Sequence, residues 1–211
     1  MSTKLLGICC SPRKGMTTFK AMQACLAAAE QVSDQIETQV VELAGRSINP
    51  CVACGTCGKE LTCSIKDDFY DLIPTLADQD VRGMIIGTPV YLCCMTAQCK
   101  AFLDRSAMFR RNGWRFRDRV AGVLAVGGVQ NGGQELTVQA VRAAMLCHDM
   151  ICVSDGQPTA HLGGTVYSGG DGGVEADAYG LQTVQNLGRR VAEVALMLAA
   201  RPSGGAPCNE P

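Results

Sequence analysis

Five short apolar segments alternate with five helix-like segments along nearly the whole chain, and this alternation limits the possible folds most strongly. Alternating strands and helices predict a parallel sheet whose two faces are covered by crossover helices. Right-handed crossovers leave few arrangements of five strands. The predicted strands are 4–10, 37–43, 81–87, 120–126 and 150–154, and the predicted helices are 17–32, 67–77, 96–109, 133–148 and 174–200.

These elements predict a three-layer α/β/α fold around a five-stranded parallel sheet. The flavodoxin-like strand order 2-1-3-4-5 accommodates five strands without an extension. A cysteine-rich loop at 47–66 is inserted after the second strand, and a glycine-rich loop at 155–173 precedes the last helix. We expect residues 1–200 to form a single domain and residues 201–211 to be a disordered tail.

The inserted loop carries four cysteines with the spacing C-x2-C-x2-C-x5-C. Ligands at successive x2 spacings let a short loop surround an iron–sulfur cluster. Structural zinc sites more often use two separated C-x-x-C pairs, and disulfides require an oxidising compartment. The spacing favours a [4Fe–4S] cluster, with a zinc site or no metal as alternatives. The four candidate metal ligands are Cys51, Cys54, Cys57 and Cys63.

Composition narrows the class of protein. The net charge of −1 gives no global attraction to nucleic acid or to a membrane surface. No uninterrupted apolar stretch reaches the roughly 18 residues of a membrane span, and a first strand at Lys4 leaves no room for a signal peptide. We therefore expect a cytoplasmic protein whose remaining nine cysteines are reduced and mostly buried.

Three loops that follow predicted strands have the composition of a ligand site. In open α/β sheets, ligands bind beyond the carboxyl ends of the strands. The first loop, 11–18, combines hydroxyl groups, a helix N-terminus and Arg13, which suits a phosphate group. It matches neither the dinucleotide-binding fingerprint nor the P-loop, and so favours a flavin mononucleotide phosphate. An ordinary capped turn is the alternative.

The second and third loops suit the rest of a flavin. The second loop, 88–96, joins a proline-stiffened backbone to Tyr91, which would offer an apolar surface to an isoalloxazine ring unless it is a core aromatic. The third loop, 127–135, is rich in glycine, so its backbone can approach a ligand closely. Asn131 or Gln134 would then hydrogen-bond the ring or the ribityl chain, although a plain glycine loop before a helix is the alternative. The three loops together predict FMN at this sheet edge.

Five stretches of the chain resemble the iron–sulfur flavoprotein family, a branch of the flavodoxin-like NADPH-dependent FMN reductases. The cysteine spacing after the second strand is the specific part of the resemblance. The other motifs are shared with simpler flavin reductases. The stretches are SPRKG at 11–15, CVACGTC at 51–57 with Cys63, TPVY at 88–91, AQCKAFLDR at 97–105 and GGVQNGGQE at 127–135.

The resemblance implies one FMN and one [4Fe–4S] cluster per subunit of a homodimer or homotetramer. It further implies that electrons pass from a ferredoxin-like donor through the cluster to FMN and on to an acceptor. By the same resemblance, the four cysteines of the loop are the cluster ligands. The FMN-binding residues are Ser11, Arg13, Met16, Thr17, Thr18, Pro89, Val90, Tyr91, Leu92, Gly128, Asn131, Gly132, Gly133, Gln134 and Glu135.

The sequence departs from the family pattern at two places. Cys10 replaces a common glycine before the serine, and the pair Cys93-Cys94 replaces small or polar residues beside the ring. A thiol near the flavin could act as a redox partner, but a buried spectator is the favoured interpretation.

Two further features of the sequence each have more than one interpretation. The arginine-rich and aromatic segment 105–119 is typical of a surface for nucleic acid or for an acidic partner such as a ferredoxin, but also of a solvated loop or a dimer contact. His161, in the glycine-rich loop, either caps a flavin or has no specific role.

Two other functions compete with electron transfer from ferredoxin. One is an NAD(P)H-dependent FMN or quinone reductase whose cysteine loop binds structural zinc. The other is a non-catalytic redox sensor whose cluster reports oxidant. Metal identity distinguishes the first from the main hypothesis, and steady electron flux distinguishes the second.

Overall fold

The computed structural model describes residues 2–200, which form a parallel sheet flanked by helices on both faces. The predicted tail at 201–211 lies outside the described residues. The strands are β1 (Thr3–Cys9), β2 (Ile36–Glu42), β3 (Val81–Pro89), β4 (Val120–Gly127), β5 (Ile151–Cys152) and β6 (Gly164–Tyr167). The α-helices are α1 (Thr17–Glu30), α2 (Ile73–Ala77), α3 (Ala97–Arg111), α4 (Gln134–Leu146) and α5 (Ala178–Ala199).

The sheet order is β2-β1-β3-β4-β5 and every paired strand runs parallel, which confirms the predicted flavodoxin-like fold. The fifth position is shared by two short strands. β5 pairs with the start of β4 at Val120, whereas β6 pairs with its end from Leu124 to Gly127. The prediction of a continuous loop at 155–173 is therefore wrong at 164–167, where flanking glycines obscured a short strand.

Alternating side chains of the central strands build two separate cores. Leu5, Ile85 and Leu124 pack with α1 and α5 on one face of the sheet. Leu6 and Ile86, their neighbours along β1 and β3, pack with α3 and α4 on the other face. This period of two is the pattern of a strand that is buried on both faces.

Two helices begin later than predicted. The segment predicted as helix 67–77 is α-helical only in α2, and a 3₁₀ turn at Tyr70–Leu72 precedes it. The acid at its start, Asp67, accepts from the Phe69 backbone N–H (3.2 Å) and also from the Asn49 N–H of the cysteine loop (2.8 Å). α5 begins at Ala178 because Asp177 accepts a hydrogen bond from the backbone N–H of Gly180 (2.8 Å).

α5 is amphipathic and packs one face on the sheet. It contains 22 residues, of which Val184, Leu187 and Val191 are buried. Across residues 2–200, no helix combines the length and the apolar character that crossing a bilayer requires.

Candidate functional site

The loops after β1, β3 and β4 meet at one edge of the sheet, as predicted. Cys10 donates its backbone N–H to the carbonyl of Gly87 (2.7 Å). Val90 donates to the carbonyl of Val126 (2.9 Å), and the Thr96 hydroxyl donates to the carbonyl of Cys10 (2.9 Å). These bonds connect all three loops, so a single ligand at this edge would contact each of them.

Two hydrogen bonds fix the backbone of the first loop. The Ser11 hydroxyl accepts a hydrogen bond from the Arg13 backbone N–H (3.1 Å), and Gly15 donates to a carboxylate oxygen of Glu42 (2.7 Å). α1 then starts at Thr17, and its first N–H groups have no partner within the helix. The Thr18 hydroxyl is buried and has no hydrogen-bond partner within residues 2–200. An acceptor brought by a ligand would satisfy it.

The second loop ends in a tight hairpin. Tyr91 and Cys94 exchange both backbone hydrogen bonds, at 2.8 and 3.0 Å. The two residues between them, Leu92 and Cys93, have φ of 49° and 59°, as a type I′ turn requires. Neither is a glycine or an asparagine, so the turn is strained, and strain of this kind concentrates at functional sites.

The hairpin projects its side chains into solvent. Leu92 is fully exposed and Tyr91 is half-exposed. Cys93 and Cys94 are also exposed, so the expectation of buried spectator thiols here is wrong, whereas Cys10 is buried. The turn geometry explains the difference, because a two-residue turn at a sheet edge leaves no element to cover its side chains.

The third loop packs directly against this hairpin. Gly133 has φ of +97°, and a Cβ there would lie 2.7 Å from the Cys93 sulfur. Both observations require glycine. Gln134 is buried and donates its side-chain N–H to the Val129 carbonyl (3.0 Å), which shapes the loop from within. Asn131 and Glu135 are exposed at the mouth of the site.

The third loop also lines an open cavity of about 650 Å³. Asn131 and Glu135 line it from one side. His161, Tyr167 and Tyr179 line it from the segment that contains β6 and the start of α5. The His161 ring meets the Tyr179 ring edge-on, with centroids 6.1 Å apart. His161 therefore lies at a cavity adjacent to the predicted flavin edge.

The four cysteines of the inserted loop line a second cavity. Within residues 2–200, no three His, Cys, Asp or Glu side chains are drawn together as ligands of a single ion. The thiols lie instead around the cavity wall. Its other side is formed by α3, through Arg105, Met108 and Arg111.

Three of the four sulfur atoms of the loop take part in hydrogen bonds. The Cys54 thiol donates to the Thr56 hydroxyl (3.4 Å) and shares a hydrogen bond with the Ser64 hydroxyl (2.9 Å), and these contacts lower the pKa of that thiol to about 7. The Ala53 backbone N–H donates to the Cys51 sulfur (3.4 Å). Arg111 donates to the Cys57 sulfur (3.5 Å). Such donors stabilise thiolates, which are the form that binds metal.

Arg105 ties the two ends of the cysteine loop together. Its guanidinium donates to the carbonyl oxygens of Asn49 (3.0 Å) and Ile65 (3.1 Å) and forms a bidentate pair with Asp67 (2.9 and 3.1 Å). Burial would raise the pKa of Asp67, but the hydrogen bonds from Arg105 and Asn49 outweigh it and hold that pKa below its ordinary value. The loop is therefore anchored to α3 by a charged group with 1% side-chain exposure.

One nitrogen of this anchor has no partner. The Nε of Arg105 is buried without a hydrogen-bond acceptor within residues 2–200. Burial lowers the pKa of Arg105, yet Asp67 and the nearby Cys63 raise it overall. A cation beside Cys63 and an unused donor both suit a group that carries negatively charged sulfur.

In the structure, some residues of the arginine-rich segment 105–119 are buried and the others are exposed. Arg105 and Arg119 are buried, and Arg119 donates to the carbonyls of Leu76 (2.9 Å) and Asp78 (2.8 Å). Phe109 and Phe116 stack inside the core, with ring centroids 4.6 Å apart. The prediction of one recognition surface is therefore wrong for these residues. The other arginines of the segment and Trp114 are exposed.

Sequence reasoning missed the side chains that support the two cavities. The Arg105–Asp67 pair joins residues 38 positions apart, which no local pattern reveals. The one local signal was an acid four residues after Cys63, the last cysteine of the loop. Tyr167 and Tyr179 were missed because the strand and the helix start that position them were not predicted.

The sequence is similar to those of several known proteins. A family model described as NADPH-dependent FMN reductase matches residues 3–165. An iron–sulfur flavoprotein of Methanocaldococcus jannaschii is 41% identical over 196 residues, which cover 92% of this chain and 98% of that protein. An iron–sulfur flavoprotein of Methanosarcina thermophila is 36% identical over 191 residues, covering 90% and 94%.

Solved structures share the fold at lower identity. A WrbA-like flavodoxin from Agrobacterium tumefaciens superimposes with a TM-score of 0.64 at 21% identity, covering 93% of this chain and 99% of that one. The apo form of an NADH:FMN oxidoreductase gives a TM-score of 0.65 at 18% identity, covering 96% and 93%. At these identities the similarity concerns the fold alone.

Proposed function

Since the chain belongs to the NADPH-dependent FMN reductase family, and within it to the iron–sulfur flavoproteins, we propose that it is an oxidoreductase with FMN and a [4Fe–4S] cluster. In this proposal electrons pass from a ferredoxin-like donor through the cluster to FMN and on to an acceptor. The observation that carries the proposal is the pairing of a four-thiol cavity with a three-loop sheet edge in one chain. A cluster supplies one-electron transfer, and FMN links single electrons to two-electron chemistry.

The cysteine loop would hold the cluster. In the proposal its ligands are Cys51, Cys54, Cys57 and Cys63. Two observations support the fit: N–H groups donate to the sulfur atoms of Cys51 and Cys57, and the buried Nε of Arg105 lacks an acceptor within residues 2–200. Arg105 and Arg111 would also offset the negative charge of the thiolates.

The three-loop edge would hold FMN. The unpartnered Thr18 hydroxyl, the first N–H groups of α1 and Arg13 suit the terminal phosphate. Tyr91 and the close backbone at Gly133 suit the ring. The other proposed FMN contacts are Ser11, Met16, Thr17, Pro89, Val90, Leu92, Gly128, Asn131, Gly132, Gln134 and Glu135.

α3 connects the two centres. Thr96, which caps its N-terminus, binds the carbonyl of Cys10 at the flavin edge. The thiol cavity lies against its residues 104–111. At 1.5 Å per residue the cavity begins roughly 12 Å from Thr96 along the helix axis and ends roughly 22 Å from it. One rigid helix therefore sets the spacing of the proposed electron path.

We expect Thr18→Val to weaken FMN binding roughly 10- to 100-fold, because a hydrogen bond to a charged group contributes about 1.5–3 kcal/mol. The fold should be unaffected, since the hydroxyl has no partner among the described residues. Fluorescence titration of flavin-free protein with FMN measures the affinity. Thr38→Val is the control. This half-buried residue lies in β2, at the edge of the sheet, and its hydroxyl donates to Glu30 (2.6 Å), so its variant should bind FMN like the unchanged protein. Equal affinity of the Thr18 variant would remove Thr18 from the phosphate site.

Rapid mixing without oxygen tests the proposed direction of electron flow. A reduced ferredoxin should reduce the protein and sustain flux to an artificial acceptor. Reduction by NAD(P)H but not by ferredoxin would support the FMN or quinone reductase instead. Reduction without sustained flux would support the redox sensor.

Assembly into a homodimer or homotetramer is part of the proposal. Exposed apolar side chains at the flavin edge and on neighbouring elements support it, namely Leu92, Val129, Leu136 and Tyr179. Light scattering during size-exclusion chromatography gives the number of subunits.

A further inference from the structure

Arg111, which lines the thiol cavity, belongs to a group of four cations on the end of α3, the turn after it and the cysteine loop that form no salt bridge within the described residues. Within residues 2–200, no salt bridge involves Lys59, Arg110, Arg111 or Arg115. All four are exposed. Unpaired cations clustered on one surface create a local positive potential that the net charge of −1 conceals.

Two contacts connect these cations to the cysteine loop. Arg111, at the end of α3, donates to the Cys57 sulfur (3.5 Å). The side chain of the next residue, Asn112, donates to the Cys57 carbonyl (2.6 Å). The end of α3 and the turn after it therefore lie directly beside a proposed cluster ligand. Lys59 is two residues beyond Cys57 in the cysteine loop.

An exposed aromatic lies within this positive surface. Trp114 is 39% exposed, with φ of +51°, and the Arg110 guanidinium lies 4.6 Å from its ring centroid. Tryptophan and arginine are the residue types that most often dominate binding energy at protein interfaces. We name Lys59, Arg110, Arg111, Trp114 and Arg115 the arginine rim.

Most acids near the arginine rim are already paired: Asp104, which lines the thiol cavity, pairs with Lys100 (2.6 Å). Asp118 and Asp149 both lie within ion-pair distance of Arg117, at 3.7 and 3.1 Å. Glu60 follows Lys59 directly, is exposed and forms no salt bridge within residues 2–200, so it offsets one of the four cations of the rim. The last turn of α3 favours cations through the helix dipole, but that accounts for Arg110 and Arg111 only. Arg115 and Lys59 lie outside the helix, on the turn after it and on the cysteine loop, so the dipole does not account for them.

We propose that the arginine rim is the docking surface for an acidic, one-electron protein donor of the ferredoxin type. The inference rests on the proposed function, because it assumes that electrons enter at the thiol cavity. Charge complementarity favours an acidic partner, and the exposed indole supplies an apolar contact at the centre. A donor seated here would be adjacent to Cys57, so no conformational change is needed to bring the two centres close. Association would be fast, weak and sensitive to salt.

The test compares charge reversals on and away from the arginine rim. Arg110→Glu/Arg115→Glu alters the surface without touching a proposed ligand. Gln31→Glu/Gln185→Glu/Arg189→Glu is the matched control, since it changes the net charge by the same four units at exposed positions of the opposite, α1–α5 layer and breaks no salt bridge. Each protein is mixed without oxygen with a reduced, acidic two-cluster ferredoxin over a series of salt concentrations. Photoreduced 5-deazariboflavin serves as a small uncharged reductant. Iron, FMN and the visible spectrum are measured for every variant.

The arginine-rim variant should react with ferredoxin roughly 10- to 100-fold more slowly at low salt and should lose most of its salt dependence. Its reaction with deazariboflavin, its cofactor content and its spectrum should be unchanged, and the control should resemble the unchanged protein. Equal ferredoxin rates in all three proteins would overturn the docking surface and leave the proposed function intact. A different subunit number in the arginine-rim variant alone would assign the surface to contacts between copies, which also overturns the proposal. Failure of ferredoxin to reduce the unchanged protein would overturn the proposed function itself, and the docking surface with it.

Discussion

Replacement of Cys51 and Cys54 by serine is expected to lower the iron content at least about tenfold and to leave FMN bound. Both thiols are exposed, so serine removes little packing. The thiol cavity lies against residues 104–111 of α3. The loops of the flavin edge instead contact Thr96, at the N-terminal end of that helix. Loss of the metal should therefore not spread to the flavin site. Colorimetric iron assays and flavin absorbance on the same sample measure both contents.

Cys147→Ser is the matched control. Cys147 is also exposed, but it lies at the end of α4 and outside the inserted loop. The control should retain full iron and full FMN. Iron retained in the double variant would show that these thiols are not ligands. Simultaneous loss of iron and FMN would show that the two sites are not independent.

Arg105→Leu is expected to destabilise the protein by about 3–5 kcal/mol, because it leaves the buried Asp67 carboxylate without its partner. The side chains of this pair are 1% and 7% exposed, so solvent cannot replace the lost bonds. The variant also releases both ends of the cysteine loop, and iron content should fall with stability. Urea denaturation followed by circular dichroism gives the change in unfolding free energy.

Two further variants separate charge from geometry. Arg105→Lys keeps the charge but loses the bidentate fork, so it should lie between the leucine variant and the unchanged protein. Arg105→Leu/Asp67→Leu removes both charges and should recover most of the lost stability. It should still lose iron, because no side chain then joins Asn49 to Ile65. Full iron in that double variant would contradict the anchoring role of Arg105.

The buried pair also gives a direction for pH dependence. The pKa of Asp67 in the folded protein lies below its ordinary value of 3.8. The unfolded chain therefore binds this proton at higher pH than the folded chain does. The stabilisation by Asp67 is complete above its ordinary pKa and is lost as the pH falls through the lower, folded value.

The sequence was sufficient to predict the sheet because buried strands are readable locally. The apolar runs of β1, β3 and β4, each ending in a loop of unusual composition, fixed the parallel order and placed three loops at one edge. The cysteine spacing located the second cavity for the same reason. Its residues are neighbours in the chain, so no long-range information was needed.

The errors arose where the environment of a residue depends on distant partners. The acid at Asp67 has the same local pattern whether it caps a helix or binds an arginine 38 residues away. Arg105 and Arg119 resemble surface arginines in sequence, yet they are buried by contacts with α2 and with the cysteine loop. The exposure of Cys93 and Cys94 depends on a type I′ turn formed without the usual glycine or asparagine.

Metal and flavin analysis of protein purified without oxygen tests the central claim most directly. We expect about four iron atoms and one FMN per chain. The visible absorption spectrum should show a broad shoulder at roughly 400 nm over the flavin bands. Flavin bands with zinc and no iron would contradict the two-cofactor account and favour a flavin reductase with a structural zinc loop. Absence of both iron and flavin would contradict the assignment of both cavities.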